Sequence, residues 1–486
     1  MWDLSSCALS TARLRGATYA DARVMDVRHR DVSTKNGEVG TVAESVSYGI
    51  GIRVIANGAW GFAATDRLTR AGIQACAAQA VAIAKASALT KRADVVMAPE
   101  QPFVDSWQSP FLKDPFEIPI ESQLDLLLSA DAEMRRVKGV TLAETGMSFR
   151  KLDVWFASSI GSRIHQRKVS SGCSIVATSF RGSEIQKRSY PSSFGGQHAL
   201  QGYELVESLE IVRHAPRVAE EAVALHGAAQ CPESTGTIIL DGSQLGLQIH
   251  ESIGHPIELD RVLGQEANFA GMSFLTLEKL GKLRYGSEIV NVVADARLEH
   301  GPGLGTFAYD DEGVSAQCTD IIKDGLFTGY LSNRETAAAI GLARSSGTMR
   351  AESWNRLPII RMTNISILPG QWSPGDLVAD TDDGIWMETN RSWSIDDRRY
   401  HFQFSTEIGW EIKGGKKTRM LKNPSYSGIT TEFWNSCDAI CSRKHWTLWG
   451  TPNCGKGQPQ QTMGTGHGAA PARFRNVKIG SAFSEL

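Results

Sequence analysis

The stretch TGTIILDGSQLGLQIHESIGHP, residues 235–256, is the passage on which both architecture and chemistry turn. GTIIL is a short apolar run of strand type, Asp241, Gly242 and Ser243 follow as cap residues, and QLGLQIHESIGH continues with helical spacing. A strand handing over to a helix is therefore expected here. His250 and Glu251 are adjacent, and His255 comes five positions after His250. The common zinc-site pattern HExxH keeps its histidines four apart, on one helix face, with the glutamate as general base. Five steps along a regular α-helix rotate a side chain by about 140°, which would point the two imidazoles apart. A π-type turn closes i to i+5 and restores a shared face, and Gly254 lowers the steric cost of that distortion. Pro256 lacks the N–H that would bond the Ser252 carbonyl, and its ring disfavours helical geometry at His255. The expectation is that His255 swings back toward His250 on a distorted or terminating turn.

Two histidines leave a catalytic zinc one protein ligand short. The candidates are Glu258 and Asp260 just downstream, Cys454 in GTPNCGKGQPQ, His467 in GTGHGAAP, and the i,i+4 pair Cys437 and Cys441. Spacing does not choose among them. Cys454 lies in a Gly-rich segment that reads as an irregular loop, where backbone freedom lets a thiolate reach a metal held elsewhere. Glu258 equally suits orienting a histidine from behind, and Cys437 and Cys441 read as core residues on one helix face.

Working outward, the segments after this helix are rich in strands and glycine: IVNVVADA, GVSAQCTDIIKDGLFTGYLS with an Asp324-Gly325 turn, ISILPG and EIGWEIKGG. Before it, SVSYGIGIRVIANGAWGFAATD reads as a hairpin about Asn57-Gly58, followed by a helix over 67–87. The Met97 to Pro119 segment holds five prolines and reads as a connecting loop, a helix over 120–137 follows, and 140–180 carries β-rich runs suited to an antiparallel sheet. VRHAPRVAEEAVALHGAAQ is helical, and the polar CPESTG after it marks a boundary near 229. The fold class is α+β with two domains: an amino-terminal α+β domain over 1–228, and a mostly antiparallel, β-rich domain over 229–486 that carries the motif helix.

Hydrophobic residues make up 42% of the 486 and charged residues 21%, enough for a large core. The 51 basic and 53 acidic residues are mixed along the chain and leave a net charge of only -2, which argues against nucleic acid or an acidic lipid surface as partner. The first residues lack the apolar core of a signal peptide and no run reaches the roughly 18 apolar residues of a membrane span, so a cytoplasmic protein is expected. The eight cysteines show no framework spacing and read as reduced thiols.

At this point the residues resemble the TldD/PmbA family of metallopeptidases, whose active members carry HExxxH. HESIGHPIELDRVLGQEANFAGMSF is similar to the family's extended signature, and NVVADA, YDDEGV, GYLSNRETA, SSGTMRAESWNRLPIIRMTN, HFQF and NCGKGQPQ add matches through the second half. The hairpin about Asn57-Gly58 extends the likeness to the first half. The resemblance implies a zinc peptidase in which His250, His255 and Cys454 hold the metal and Glu251 is the general base of metal-assisted amide hydrolysis. It implies unfolded or leader-type peptides as substrates, and either a homodimer or a heterodimer with a PmbA-like subunit. Pro256 departs from the pattern and leaves the path of the helix open. Arg361, Arg399 and His401 lie in family-like segments, although an arginine is more often a structural ion pair than a transition-state stabiliser. Two other readings use the same residues: a peptide-binding subunit with no turnover, and a metallohydrolase acting on other amides.

Overall fold

The computed structural model describes residues 1–269 and 271–481, so the last five residues of the expected second domain lie outside the described residues. The first half is built on an eight-stranded sheet whose main path runs Ala59–Thr65, Glu38–Ala56, Tyr19–Lys35, Leu142–Ser158, Arg163–Arg181 and Val104–Gln108. Asn57 and Gly58 both take positive φ, 52° and 73°, as a type I′ hairpin turn requires. Side chains alternate between faces along the long strands. On one face, Val24, Ile50 and Ile52 pack against helices Trp2–Leu14 and Arg70–Ser87, while further along the strands Phe149 and Ile175 pack against Ile120–Arg135 and Ile211–Ala224. The opposite face turns toward the second half: Phe156 meets Tyr309, and Arg53 joins Asp21 (2.7 Å) to Glu312 (2.9 Å).

The Pro-rich segment is more than a connection. Val104–Gln108 pairs in parallel with Arg163–Arg167 at the sheet edge, where proline on either side of a short strand costs no ladder hydrogen bond.

In the second half, strands Asp383–Ile395, Ser234–Leu240, Ala472–Ser481, Pro424–Ile429 and His401–Lys413 pair in sequence, and the last also pairs with the first, closing a five-stranded ring. All of these pairings are antiparallel except that of Ser234–Leu240 with Asp383–Ile395. A six-stranded sheet, ending in Val292–Asp295, Asn364–Ile367, Gln461–Ala469 and Thr447–Lys456, packs beside it. The fold is thus α+β, with mostly antiparallel sheets. The Gly242–Ile249 helix lies against strands of both sheets, and one core containing Leu245, Ile249, Ile253, Ile365 and Phe404 surrounds it. Asp241 caps it, its carboxylate accepting from the backbone N–H of Ser243 (3.1 Å) and Gln244 (3.0 Å).

Two local expectations are corrected. Cys437–Ile440 is a strand, not a helix, so Cys437 and Cys441 are core cysteines of a sheet and share no helix face. Cys454 sits on strand Thr447–Lys456, whose register slips between Thr451 and Cys454, so a bulge and not an irregular loop aims its side chain.

Candidate metal centre

The α-helix gives way at His250 to one π turn, His250–Gly254, closed by the His255 N–H donating to the His250 carbonyl at 3.1 Å. This brings positions i and i+5 together: the two imidazole centroids lie 4.8 Å apart, edge to face. Pro256 does not drive His255 out of helical geometry as expected, since His255 keeps φ -68° and ψ -42°. The Ser252 carbonyl that Pro256 cannot bond accepts instead from the Tyr285 hydroxyl. Gly254 is required by a neighbour: a Cβ there would stand 2.2 Å from Met362 Sδ.

Cys454 arrives from the adjacent sheet, its Sγ 3.7 Å from His255 Nε2. One donor atom from each of His250, His255 and Cys454 falls within 4.8 Å of the others, and all three residues are buried. The hydrogen-bond network fixes how the imidazoles present themselves. The Ile365 carbonyl can only accept, so His467 Nδ1 carries the proton that meets it (3.3 Å) and His467 Nε2 is left an acceptor. His250 Nδ1 therefore donates to His467 Nε2 (2.7 Å), which leaves the His250 Nε2 lone pair free. His255 Nδ1 likewise donates to Glu258 Oε2 (3.0 Å), leaving the Nε2 lone pair directed at the Cys454 side. Burial holds His467, His250 and His255 neutral, below the ordinary histidine pKa. Burial pushes the Cys454 thiol up, but Arg361 and His255 outweigh it and bring its pKa below the usual thiol value.

Two neutral imidazoles with free lone pairs and one acidified thiol form a donor set that fits a tetrahedral transition metal. Bond lengths near 2.0–2.3 Å place neighbouring tetrahedral donors roughly 3.5 Å apart, close to the 3.7 Å between Cys454 Sγ and His255 Nε2.

Glu251 stands beside these donors with one carboxylate oxygen held by Arg399 Nη1 at 2.8 Å. Arg399 occupies a turn with φ 65°, between the paired strands Asp383–Ile395 and His401–Lys413. Behind His255, Lys456 is fully buried and binds both oxygens of Asp260 at 2.8 Å, with Glu258 Oε1 at 3.5 Å. Glu258 and Asp260 thus support the donors from behind, and His467 sits behind His250. Arg361 donates to the Cys454 carbonyl (2.5 Å) and to that of Gln461, pinning the bulged strand. His401 is exposed, paired with Asp396, and takes no part in the site. Lys456 escaped the sequence reading altogether. Its place two residues after Cys454, on the same strand face, was the available signal.

The donors line a cleft of ≈ 250 Å³. Its walls include Ser193 and Phe194 from the first half, and Trp393, Trp449 and residues 449–455 from the second.

Family models match most of the chain. The PmbA/TldA metallopeptidase C-terminal domain matches residues 233–481, the family's domain 1 matches 20–84 and its central domain matches 113–227. The chain belongs to the PmbA/TldD metallopeptidase family. A metalloprotease of Methanothermobacter thermautotrophicus is 30% identical, covering 95% of both chains. A metalloprotease of Methanocaldococcus jannaschii is 28% identical over 93% of this chain and 95% of its own. A Saccharolobus solfataricus protein named a zinc metalloprotease TldD homolog is 28% identical over 42% of this chain and 43% of its own. A crystal structure from Thermotoga maritima shares the fold, with TM-score 0.79 and 15% identity over 99% of this chain and 100% of that one. Among the described residues, no helix is long and apolar enough to cross a membrane.

Proposed function

We propose that the protein is a zinc-dependent peptidase in which His250, His255 and Cys454 hold the metal and Glu251 is the general base. The observation that carries this reading is the convergence of those three donors beside Glu251 in one cleft. When bound there, zinc supplies Lewis-acid activation of water and of the scissile carbonyl. Glu251, oriented by Arg399, takes the proton of the attacking water and passes it to the leaving amine. Glu258 and His467 hold the two imidazoles in the tautomer that presents Nε2.

The substrate is an extended, unfolded or leader-type peptide. Residues 449–455 of the edge strand Thr447–Lys456 line the cleft, and the Gln197 side chain already holds the Leu448 carbonyl and the Gly450 N–H, so an extended peptide lies along the part of the strand beyond Gly450. The protein works as a homodimer or with a PmbA-like subunit, in the cytoplasm.

The test is zinc content together with hydrolysis of an unstructured peptide. Wild type should carry one zinc per chain and Cys454→Ala should lose it. Glu251→Gln should keep the zinc while its turnover falls by about 10²–10⁴. Full activity in Glu251→Gln would refute the assigned base, and zinc retained by Cys454→Ala would move the third ligand elsewhere. Zinc bound with no turnover of any peptide would favour a binding subunit, and turnover of other amides alone a different hydrolase.

A further inference from the structure

Beside the cleft, and sharing Pro452 with it, lies a second cavity, of ≈ 160 Å³, lined by residues of the first sheet and of the second half. Pro452 lines both spaces, so they adjoin at this strand segment. The volume equals on the order of five waters. Three cations face it: Arg150, Lys168 and Arg350.

None of the three is matched by a carboxylate within ion-pair distance among the described residues. Arg150 donates to the Glu352 carbonyl (2.8 Å), and Arg350 to the carbonyls of Met362, Gly464 and Leu304. The Lys168 ammonium makes no hydrogen bond among the described residues and lies 5.3 Å from the centre of the Phe307 ring. The two carboxylates of this wall are already engaged. Asp310 accepts from the backbone N–H groups of Glu312, Val314 and Met349, and Asp311 accepts from that of Ala351 and faces Arg23 at 3.7 Å. Three half-buried cations thus converge on one cavity with no carboxylate at ion-pair distance among the described residues, a concentration of positive charge that attracts an anion. Burial depresses the Lys168 pKa to about 8; Asp311 works against this, and Arg350 and Arg150 add to it. An incoming anion would reverse that shift.

We propose that this cavity is a carboxylate-binding subsite, with Lys168 as its free donor, that receives a carboxylate of the peptide lying in the neighbouring cleft. The identity of the bearer rests on the peptidase reading. The existence of the site does not. The carboxylate belongs either to the peptide's carboxyl terminus or to an acidic side chain.

Two measurements on the full chain test it. In the first, acetylation of Lys168 by an amine-reactive ester at about pH 8 is followed by mass mapping, with succinate or with chloride at equal ionic strength. Succinate should slow the modification at least about fivefold, by occupying the site. In the second, equilibrium binding of one uncharged-side-chain hexapeptide is compared as free acid, as carboxyl-terminal amide, and as amide with an internal Glu. A carboxyl-terminal source predicts at least about tenfold tighter binding of the free acid; a side-chain source predicts the same gain for the Glu-containing amide. Lys168→Met should shrink either gain below about twofold, and Lys168→Arg should retain it. Protection by succinate with no binding of any peptide would keep the site and sink the peptidase reading. Equal acetylation rates together with equal binding of all three peptides would overturn the proposal.

Discussion

At the scale of single residues, the candidate metal donors could be named from the sequence because most of their information is local. His250, Glu251 and His255 lie within six positions, and the reading of Glu258 as a support for a histidine is what the 3.0 Å contact to His255 shows. The partners that complete the site come from far along the chain. Arg399 reaches Glu251 across 148 residues, Lys456 reaches Asp260 across 196, and His467 reaches His250 across 217. No spacing rule carries such contacts, which is why His467 read equally well as a ligand and Arg399 as an ordinary ion pair. Arg399 now has a specific task, holding one oxygen of Glu251. Arg399→Gln is expected to lower kcat by about 10–100-fold, part of what a positioned general base supplies, with KM and zinc content nearly unchanged. A loss confined to KM would place Arg399 on the substrate instead of on Glu251.

At the scale of the element, the π turn was foreseeable because HExxxH leaves few ways for two imidazoles to meet. Its supports were less so. Pro256 removes a hydrogen bond as its chemistry demands, yet His255 stays helical, because the i+5 bond to His250 and the Tyr285 hydroxyl on Ser252 stabilise the turn from both sides. Ser252 is also held through its own hydroxyl, which accepts from Trp434 Nε1 at 2.9 Å. Tyr285→Phe would leave the Ser252 carbonyl buried and unsatisfied, and should destabilise the protein by about 1–3 kcal/mol. Gly254→Ala, driven against Met362, should cost a similar ~1–3 kcal/mol and weaken zinc binding as the histidines separate. Denaturant titration with zinc stoichiometry checks both; an unchanged midpoint in either variant would show that the turn does not depend on that support. The misreading of Cys437–Ile440 has the opposite cause: its i,i+4 cysteines fit a helix, but pairing with Ala472–Ser481 decides the conformation, and pairing with residues as distant as Phe474 is invisible locally.

At the scale of the whole molecule, the α+β class with mostly antiparallel sheets was readable from composition and turn signals. The closed ring of strands was not, since closure depends on which strands meet. Polar contacts join the two halves. Arg188 of the first sheet pairs with Glu407 (3.2 Å), whose carboxylate also accepts from the Ser189 backbone and hydroxyl, while Glu184 pairs with Lys422 at 2.8 Å. Hydrogen bonds from Lys422 and Gln186 draw the Glu184 pKa from 4.5 down to about 2. A carboxylate whose pKa is lower folded than unfolded stabilises the fold fully above about pH 4.5, and that contribution is lost as pH falls through about 2. Melting of wild type and Glu184→Gln across that window should show a gap in Tm near neutrality that closes on acidification. A gap independent of pH would mean that the Lys422 pairing contributes nothing through its charge.

The cleft wall is contributed in part by Ser193 and Phe194. Every donor atom of the metal centre comes from the second half, whereas part of the entrance comes from the first. Substitutions around 192–196 would therefore reshape the entrance of the cleft without touching the three candidate donors.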